Sequence, residues 1–372
     1  MPLFIGLMSG TSADGVDASL VDISQNNGQH LINSICHYYL PFPDNFANSI
    51  RRLYQSGDNE VEKVGVVSQQ LSHLYAQAVN ELLDQQNIKA EQIAAIGNHG
   101  QTIRHCVDFA PAFSVQIGNH ALLAELTGID VIGDFRSADI AAGGQGAPLV
   151  PAFHQRIFSS GQNNQAIVNI GGIANITAIA QSGDVLAGFD TGPGNALLND
   201  WIFKHQKVNF DKDGLWANSG VVNNHLLTLL LNDDYFSRPA PKSTGREYFH
   251  LAWLQAKLAQ FATDISAQDV QATLVDLTAV TIIKAVKNYF DQADIWICGG
   301  GAHNSLLMQR LSFYAGKDFT VASSAAKGVD PDWVESQCFA WLAFCFVERL
   351  AANIPTLTGA KKPKVLGCLY PA

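Results

Sequence analysis

Apolar positions along the chain fall into two spacings. Residues 3–8 form a short apolar run, followed by a polar turn, Ser9-Gly10-Thr11-Ser12-Ala13-Asp14-Gly15. Over 16–23, Val16, Ala18 and Leu20 then alternate with polar positions such as Asp17 and Asp22. The pattern predicts two strands joined by a tight turn, with a third strand over 31–40. From 61 to 86 the spacing lengthens: Val64, Val67, Leu71, Leu74, Ala78 and Leu82 recur by threes and fours. That is the stripe of an amphipathic helix. A strand over 93–97, a polar loop over 98–104, a helix over 121–126 and a strand over 130–134 complete this stretch.

A glycine-rich passage over 141–148 disfavours helix and strand alike and is read as the start of a second domain. The opening motif then returns: a strand over 166–170, the turn Gly171-Gly172 and a strand over 174–180. Helices are predicted over 251–262 and 267–290. A strand over 294–298 ends in Gly299-Gly300-Gly301, and helices follow over 304–315 and 337–352, the last apolar on most sides. Both halves open with strand, glycine-bearing turn and strand, then alternate strand and helix. The expectation is an α/β protein of two related domains facing one another across a cleft.

Composition narrows the class. Among 372 residues, 33 acidic side chains against 23 Lys and Arg give a net charge of −10, which argues against nucleic acid or an anionic membrane as partner. No apolar run approaches the roughly 18–20 residues of a membrane span. The opening residues carry no basic region or cleavage site, so no secretory signal is expected. Six scattered cysteines fit neither a zinc site nor a disulfide framework and read as reduced thiols of a cytoplasmic protein. Gly10 and Gly15 have the glycine spacing of a P-loop, but Val16 and Asp17 stand where Lys and Ser/Thr are required. Dinucleotide, nucleophile-elbow and zincin signatures are absent too.

What remains is a set of glycine-rich turns at strand ends with acids beside them. Glycine lets successive N–H groups converge on an anion, and Ser9, Thr11 and Ser12 add hydroxyl donors. Two such turns, Ser9–Ser12 and Gly171-Gly172, suit a polyphosphate; each also suits a plain tight turn. Asp190, in Phe189-Asp190-Thr191-Gly192-Pro193-Gly194-Asn195, is read as leaving a strand into a turn. A carboxylate there fits a general base or a magnesium ligand, and equally an Asx-turn or helix cap. Asp14 has the same duality. Arg136, at the end of a strand, fits an anion or a surface ion pair. Glu335 fits a helix's first turn. His99 reads as structural, and Lys242-Ser243-Thr244-Gly245-Arg246-Glu247 as a solvated loop unless it closes over a site.

Together these blocks resemble the anhydro-N-acetylmuramic acid kinase family. Gly6-Leu7-Met8-Ser9-Gly10-Thr11-Ser12-Ala13-Asp14-Gly15-Val16-Asp17 is similar to its amino-terminal signature. Asn98-His99-Gly100-Gln101-Thr102, Gly143-Gly144-Gln145-Gly146-Ala147-Pro148, Asn169-Ile170-Gly171-Gly172, the Asp190 block, the Lys242 block and Cys298-Gly299-Gly300-Gly301 follow in the family's order. The resemblance implies two ribonuclease-H-like lobes of the actin/Hsp70/sugar-kinase fold around a central cleft. The first lobe would span 1–136 with about 350–372, carrying the hairpin 5–23. The second would span 137–349, with the hairpin 167–180 and an adenosine loop at 298–302.

The resemblance also implies an ATP- and Mg²⁺-dependent enzyme that converts 1,6-anhydro-N-acetylmuramic acid and water to N-acetylmuramic acid 6-phosphate in cell-wall recycling, as a cytoplasmic homodimer. Asp190 would be the base. Ser9, Gly10, Thr11, Ser12, Ala13, Asp14, Gly15, Val16 and Asp17 would hold phosphates opposite Gly171 and Gly172, with Asp14 near the metal, directly or through water. Gly299, Gly300 and Gly301 would lie against adenosine, and Gln101, Thr102, Arg136 and Glu335 would bind the sugar. The rival readings are an ATP-switched module without catalysis, a conventional sugar or acetate-type kinase, and a metal-free glycosidase using Asp190 and Glu335.

Overall fold

In the computed structural model, which describes residues 2–26, 29–159, 161–261 and 263–372, the amino-terminal alternation becomes an antiparallel meander. Its strands are β1 (Leu3–Ser9), β2 (Gly15–Asn26) and β3 (Gln29–Pro41). β4 (Ile93–Cys106) then pairs parallel with β1, β5 (Phe113–Ile117) antiparallel with β4, and β6 (Val131–Gly133) parallel with β4. A second meander consists of β7 (Gln165–Ile170), β8 (Ile173–Ile179) and β9 (Val185–Pro193). β10 (Ala293–Cys298) pairs parallel with β7, and β11 (Phe319–Ser323) parallel with β10. Near the carboxyl end, β12 (Cys368–Tyr370) joins β6.

Without the additions β5 and β12, the sheets read β3-β2-β1-β4-β6 and β9-β8-β7-β10-β11, the same order twice. The duplication expected from the repeated opening is therefore present in the strand order itself, in the form of the two ribonuclease-H-like lobes that the resemblance implies.

In the first sheet, Ile5 and Leu7 face Leu71, Tyr75 and Val79 of helix Glu60–Gln86, all fully buried. The opposite face carries an unusual rung. Ser19, Gly6 and Gly97 are register partners on β2, β1 and β4. Helix Val334–Val347 lies directly on them. A Cβ added at Gly6 would stand 1.8 Å from the Ser336 carbonyl oxygen, and one at Gly97 1.9 Å from that of Phe339. Ser19 Oγ and Ser336 Oγ are 2.5 Å apart. With its backbone against two glycines, this helix is buried all round, which explains why its sequence is apolar without a stripe.

The chain divides into two compact units, residues 1–157 with 333–372 and residues 158–332. These bounds differ from the expected lobes. The glycine-rich passage lies inside the first unit, because buried Asp139 draws it inward: Oδ2 accepts the Gly146 N–H at 2.8 Å, and Oδ1 accepts from Asn353 Nδ2 (2.6 Å) and Thr358 Oγ1 (2.8 Å). Helix Val334–Val347, expected in the second lobe, belongs to the first because of the glycine rung. The polar stretch 98–104 is strand, not loop, since β4 continues through it to pair with β5. The helices expected over 251–262 and 267–290 run Leu251–Gln260 and Ala267–Lys287; residue 262 lies outside the described residues.

Gly6→Ala is expected to destabilise the fold by about 3 kcal/mol, because backbone rather than a flexible side chain blocks the new methyl. Gly65→Ala, on the exposed side of helix Glu60–Gln86 with open space at Cβ, should stabilise by about 0.5–1 kcal/mol. Urea denaturation of both variants checks the contrast.

Candidate active site

The amino-terminal hairpin is held by its carbonyls. Gly10 O accepts from Gln101 Nε2 at 3.0 Å and Thr11 O from the Tyr54 hydroxyl at 2.9 Å. Ser12 O and Ala13 O accept from Arg51 Nη2, each at 3.4 Å, and Asp14 O from the Tyr39 hydroxyl at 3.1 Å. A trans peptide carries its N–H opposite its C=O, so five consecutive carbonyls turned to protein donors direct the N–H groups of Thr11, Ser12 and Asp14 the other way. The Ala13 N–H closes the turn on Gly10 O at 3.1 Å. The result is a turn with N–H groups directed away from its braced carbonyls, the chemistry an anion requires. Of the expected hydroxyl donors, Ser9 Oγ is buried 2.7 Å from the Tyr75 oxygen and Ser12 Oγ donates to Asp14. Ala13 and Val16 are fully buried in the core beneath it, and Asp17 sits in the β1–β2 ladder opposite Met8. Asp14 is exposed and accepts from Ser12 Oγ at 2.8 Å. Among the described residues no group of three or more His, Cys, Asp or Glu is placed to hold a metal, so Asp14 is not part of such a group.

The four residues expected at the sugar also lie in the first unit. Gln101, on β4, is fully buried; its Nε2 is spent on Gly10 O and on the Tyr54 oxygen at 3.2 Å, and its Oε1 is buried without a partner. Thr102 Oγ1 accepts from Gln116 Nε2 at 3.1 Å. Arg136 donates from Nη1 to Gly146 O at 2.7 Å and from Nη2 to His99 Nε2 at 2.9 Å, while its Nε is buried and unpaired. His99 is therefore the acceptor of that bond. Burial first, then the Arg136 charge, keep its imidazole neutral by holding its pKa well below the ordinary value. Phe339 of the buried helix backs the His99 ring at 4.6 Å.

Both Arg136 contacts are neutral. Burial lowers the Arg136 pKa to about 10, against the opposing pull of Glu335, and burial raises that of Glu335 against the opposing pull of Arg136. A buried guanidinium with a spare donor and only neutral hydrogen-bond acceptors is suited to an anion, with Glu335 as the one charge that pulls on it. The glycine-rich passage, read from sequence as a boundary, supplies the Gly146 carbonyl that orients it.

The second unit repeats the carbonyl device. Gly171 O accepts the Asn195 N–H at 2.8 Å, and Gly172 O accepts those of Gly194 and Ala196, both at 3.0 Å. The first N–H groups of helix Asn195–Gln206 are thus committed to the hairpin. Gly299, with φ +75°, and Gly301 are close-packing positions: a Cβ there would meet Asn169 Oδ1 at 2.3 Å and Ile170 Cβ at 2.5 Å. Gly300 between them is exposed, with only Asn195 Nδ2 near its Cβ direction, at 3.8 Å.

Asp190 lies within β9 opposite Asn175, not in a turn after a strand, because the ladder continues to Pro193. The Lys242–Glu247 stretch, read from sequence as a solvated loop, folds over it. The Asp190 N–H donates to Lys242 O at 3.1 Å, and Oδ2 accepts the Thr244 N–H at 3.0 Å. Tyr235, which sequence reasoning missed, donates its hydroxyl to Asp190 O at 2.7 Å. Burial raises the Asp190 carboxyl to about 6; the Thr244 N–H opposes the shift and Glu247 adds to it. The signal for this loop was the donor-rich block itself, but nothing local tied it to Asp190.

Comparison with known proteins decides the family. The family model described as anhydro-N-acetylmuramic acid kinase matches residues 2–372. The chain belongs to that family. It is similar to the anhydro-N-acetylmuramic acid kinases of Pseudomonas fluorescens (48% identity, 100% of both chains) and Pseudomonas paraeruginosa (49%, 100% of both). That of Nitrosomonas europaea is 48% identical over 99% of each chain. Membership covers both halves, so the sequence blocks seen in each are parts of one phosphotransferase. Among the described residues no helix is long and apolar enough to cross a membrane.

The Asp190 shift has a thermodynamic consequence. A carboxyl whose folded pKa lies above its unfolded value contributes stability that is present below about pH 4 and lost as pH rises through about 6. Asp190→Asn keeps an acceptor for Thr244 and removes the buried charge. It should exceed wild type in unfolding free energy by about 3 kcal/mol at pH 8 and by only about 1 kcal/mol at pH 4.5, measured by urea denaturation.

Proposed function

We propose that the chain uses ATP and water to convert 1,6-anhydro-N-acetylmuramic acid to N-acetylmuramic acid 6-phosphate and ADP. The observation that carries this reading is Asp190: a largely buried carboxyl with a pKa near 6, oriented by the Thr244 N–H, in a chain of this kinase family. A base with a pKa close to working pH is ionised yet still able to take a proton. Asp190 accepts a proton from water as that water attacks the anomeric carbon. The bond from that carbon to O6 breaks, and O6 takes the γ-phosphoryl group, leaving ADP. The attack parallels that of inverting glycosidases, with phosphoryl transfer in place of an acid to quench the leaving oxygen.

The hairpins at Ser9–Asp17 and Gly171-Gly172 bind the phosphates, and Gly299–Gly301, with Gly300 open, faces adenosine. Mg²⁺ enters with ATP as part of the substrate, and Asp14 is the carboxylate at the hairpin suited to meet it, directly or through water. Arg136 takes the lactyl carboxylate, while Gln101 Oε1, Thr102 and Glu335 bind sugar hydroxyl or amide groups. The same reading carries a cytoplasmic homodimer serving peptidoglycan recycling.

The test is sugar-dependent ADP release in ¹⁸O-water. Label at the anomeric oxygen, read before ring opening exchanges it, is expected in the wild type; ADP release that ignores the sugar would sink the reading. Asp190→Asn should lose about 10²–10⁴-fold in turnover. Because the base works ionised, wild-type turnover should rise with pH through about 6 and level above it.

A further inference from the structure

The amino-terminal hairpin is braced by a residue to which the reading above gives no role. Tyr54 follows helix Asp44–Arg52 and stands between the hairpin and β4. Its one proton goes to Thr11 O at 2.9 Å, so its oxygen can only accept from Gln101 Nε2, at 3.2 Å. The second partner of Nε2, Gly10 O at 3.0 Å, is likewise an acceptor. Two acceptors on one side fix which way the Gln101 amide faces, and they leave Oε1 turned from them, buried and unpaired. A buried acceptor without a donor carries a desolvation cost that a donor on a bound ligand removes. Burial, with Asp14 adding and Arg51 opposing, pushes the Tyr54 hydroxyl up to about 12, so it keeps its proton at neutral pH.

We propose that Tyr54 is a positioning residue for phosphoryl transfer: it sets the phosphate hairpin at Gly10 and Thr11 and, through Gln101, fixes an acceptor for a donor on the sugar. One side chain thereby holds the nucleotide loop and the polarity of a sugar contact in a common frame. The proposal rests on the reading that this hairpin takes phosphates and Gln101 takes sugar.

The experiment compares wild type with Tyr54→Phe, which keeps the ring and removes the hydroxyl. Amide hydrogen exchange of the ligand-free proteins is followed at Ala13, whose N–H closes the turn on Gly10 O at 3.1 Å, and kcat is measured with ATP and 1,6-anhydro-N-acetylmuramic acid. Dissociation constants are measured for that sugar and for a non-hydrolysable ATP analogue. The expected result is exchange at Ala13 faster by about tenfold. With it, kcat should fall by about 10–100-fold while both dissociation constants stay within about threefold, the signature of misplaced reactants rather than lost binding. Unchanged exchange, or kcat equal to wild type, overturns the proposal. If wild type itself fails to phosphorylate the sugar, the proposed function falls separately, and unchanged exchange still overturns the Tyr54 brace.

Discussion

The contact on which the first unit depends is backbone against backbone: helix Val334–Val347 resting on the paired glycines Gly6 and Gly97. At Gly6 and Gly97 no side chain separates helix from sheet, so the helix cannot shift there without opening the core. The closeness has a chemical result. It sets Phe339 against the His99 ring and brings Glu335, one turn earlier, into the electrostatic surroundings of Arg136. A helix placed by ordinary side-chain packing would tolerate small displacements, and a buried guanidinium held by neutral acceptors has little tolerance for them.

On the function we propose, both units solve the same problem at their first hairpin. A turn that presents N–H groups to an anion must dispose of the opposite carbonyls, since unpaired carbonyls next to the anion would repel it. The first unit spends side chains on them, Gln101, Tyr54, Arg51 and Tyr39. The second spends the start of helix Asn195–Gln206. The topology is duplicated, but the means of pinning the turn is not, so the physical requirement is shared more closely than the residues that meet it.

Asp190 shows what such a site costs. Its carboxyl is kept where water solvates it poorly, and one backbone N–H offsets only part of the burial. The fold therefore carries a destabilising charge at neutral pH, which is the cost of the base we propose. Asp139, buried more completely still, is the opposite case: three donors surround its carboxylate, and it serves as an anchor for the glycine-rich passage.

Much of the fold was legible along the chain because it rests on local periodicity. The alternation in β2, the threes and fours of helix Glu60–Gln86, and the repeated strand–glycine turn–strand opening are set by neighbours in sequence, and they survive in the sheet orders. Legibility failed where polar residues are held by partners far away. The 98–104 stretch looked like loop because Asn98, His99 and Gln101 are polar, yet they are buried in a strand whose partners are brought in by β5 and the hairpin. The glycine-rich passage looked like a boundary because its anchor, Asp139, takes its other bonds from Asn353 and Thr358, more than 200 residues on. The Lys242–Glu247 loop and Tyr235 carried no local sign of Asp190. The sequence by itself determined the periodic elements, the duplicated plan and the family. Only the tertiary structure decided which polar groups are buried together, because that depends on burial and charge summed over contacts that no stretch of chain contains.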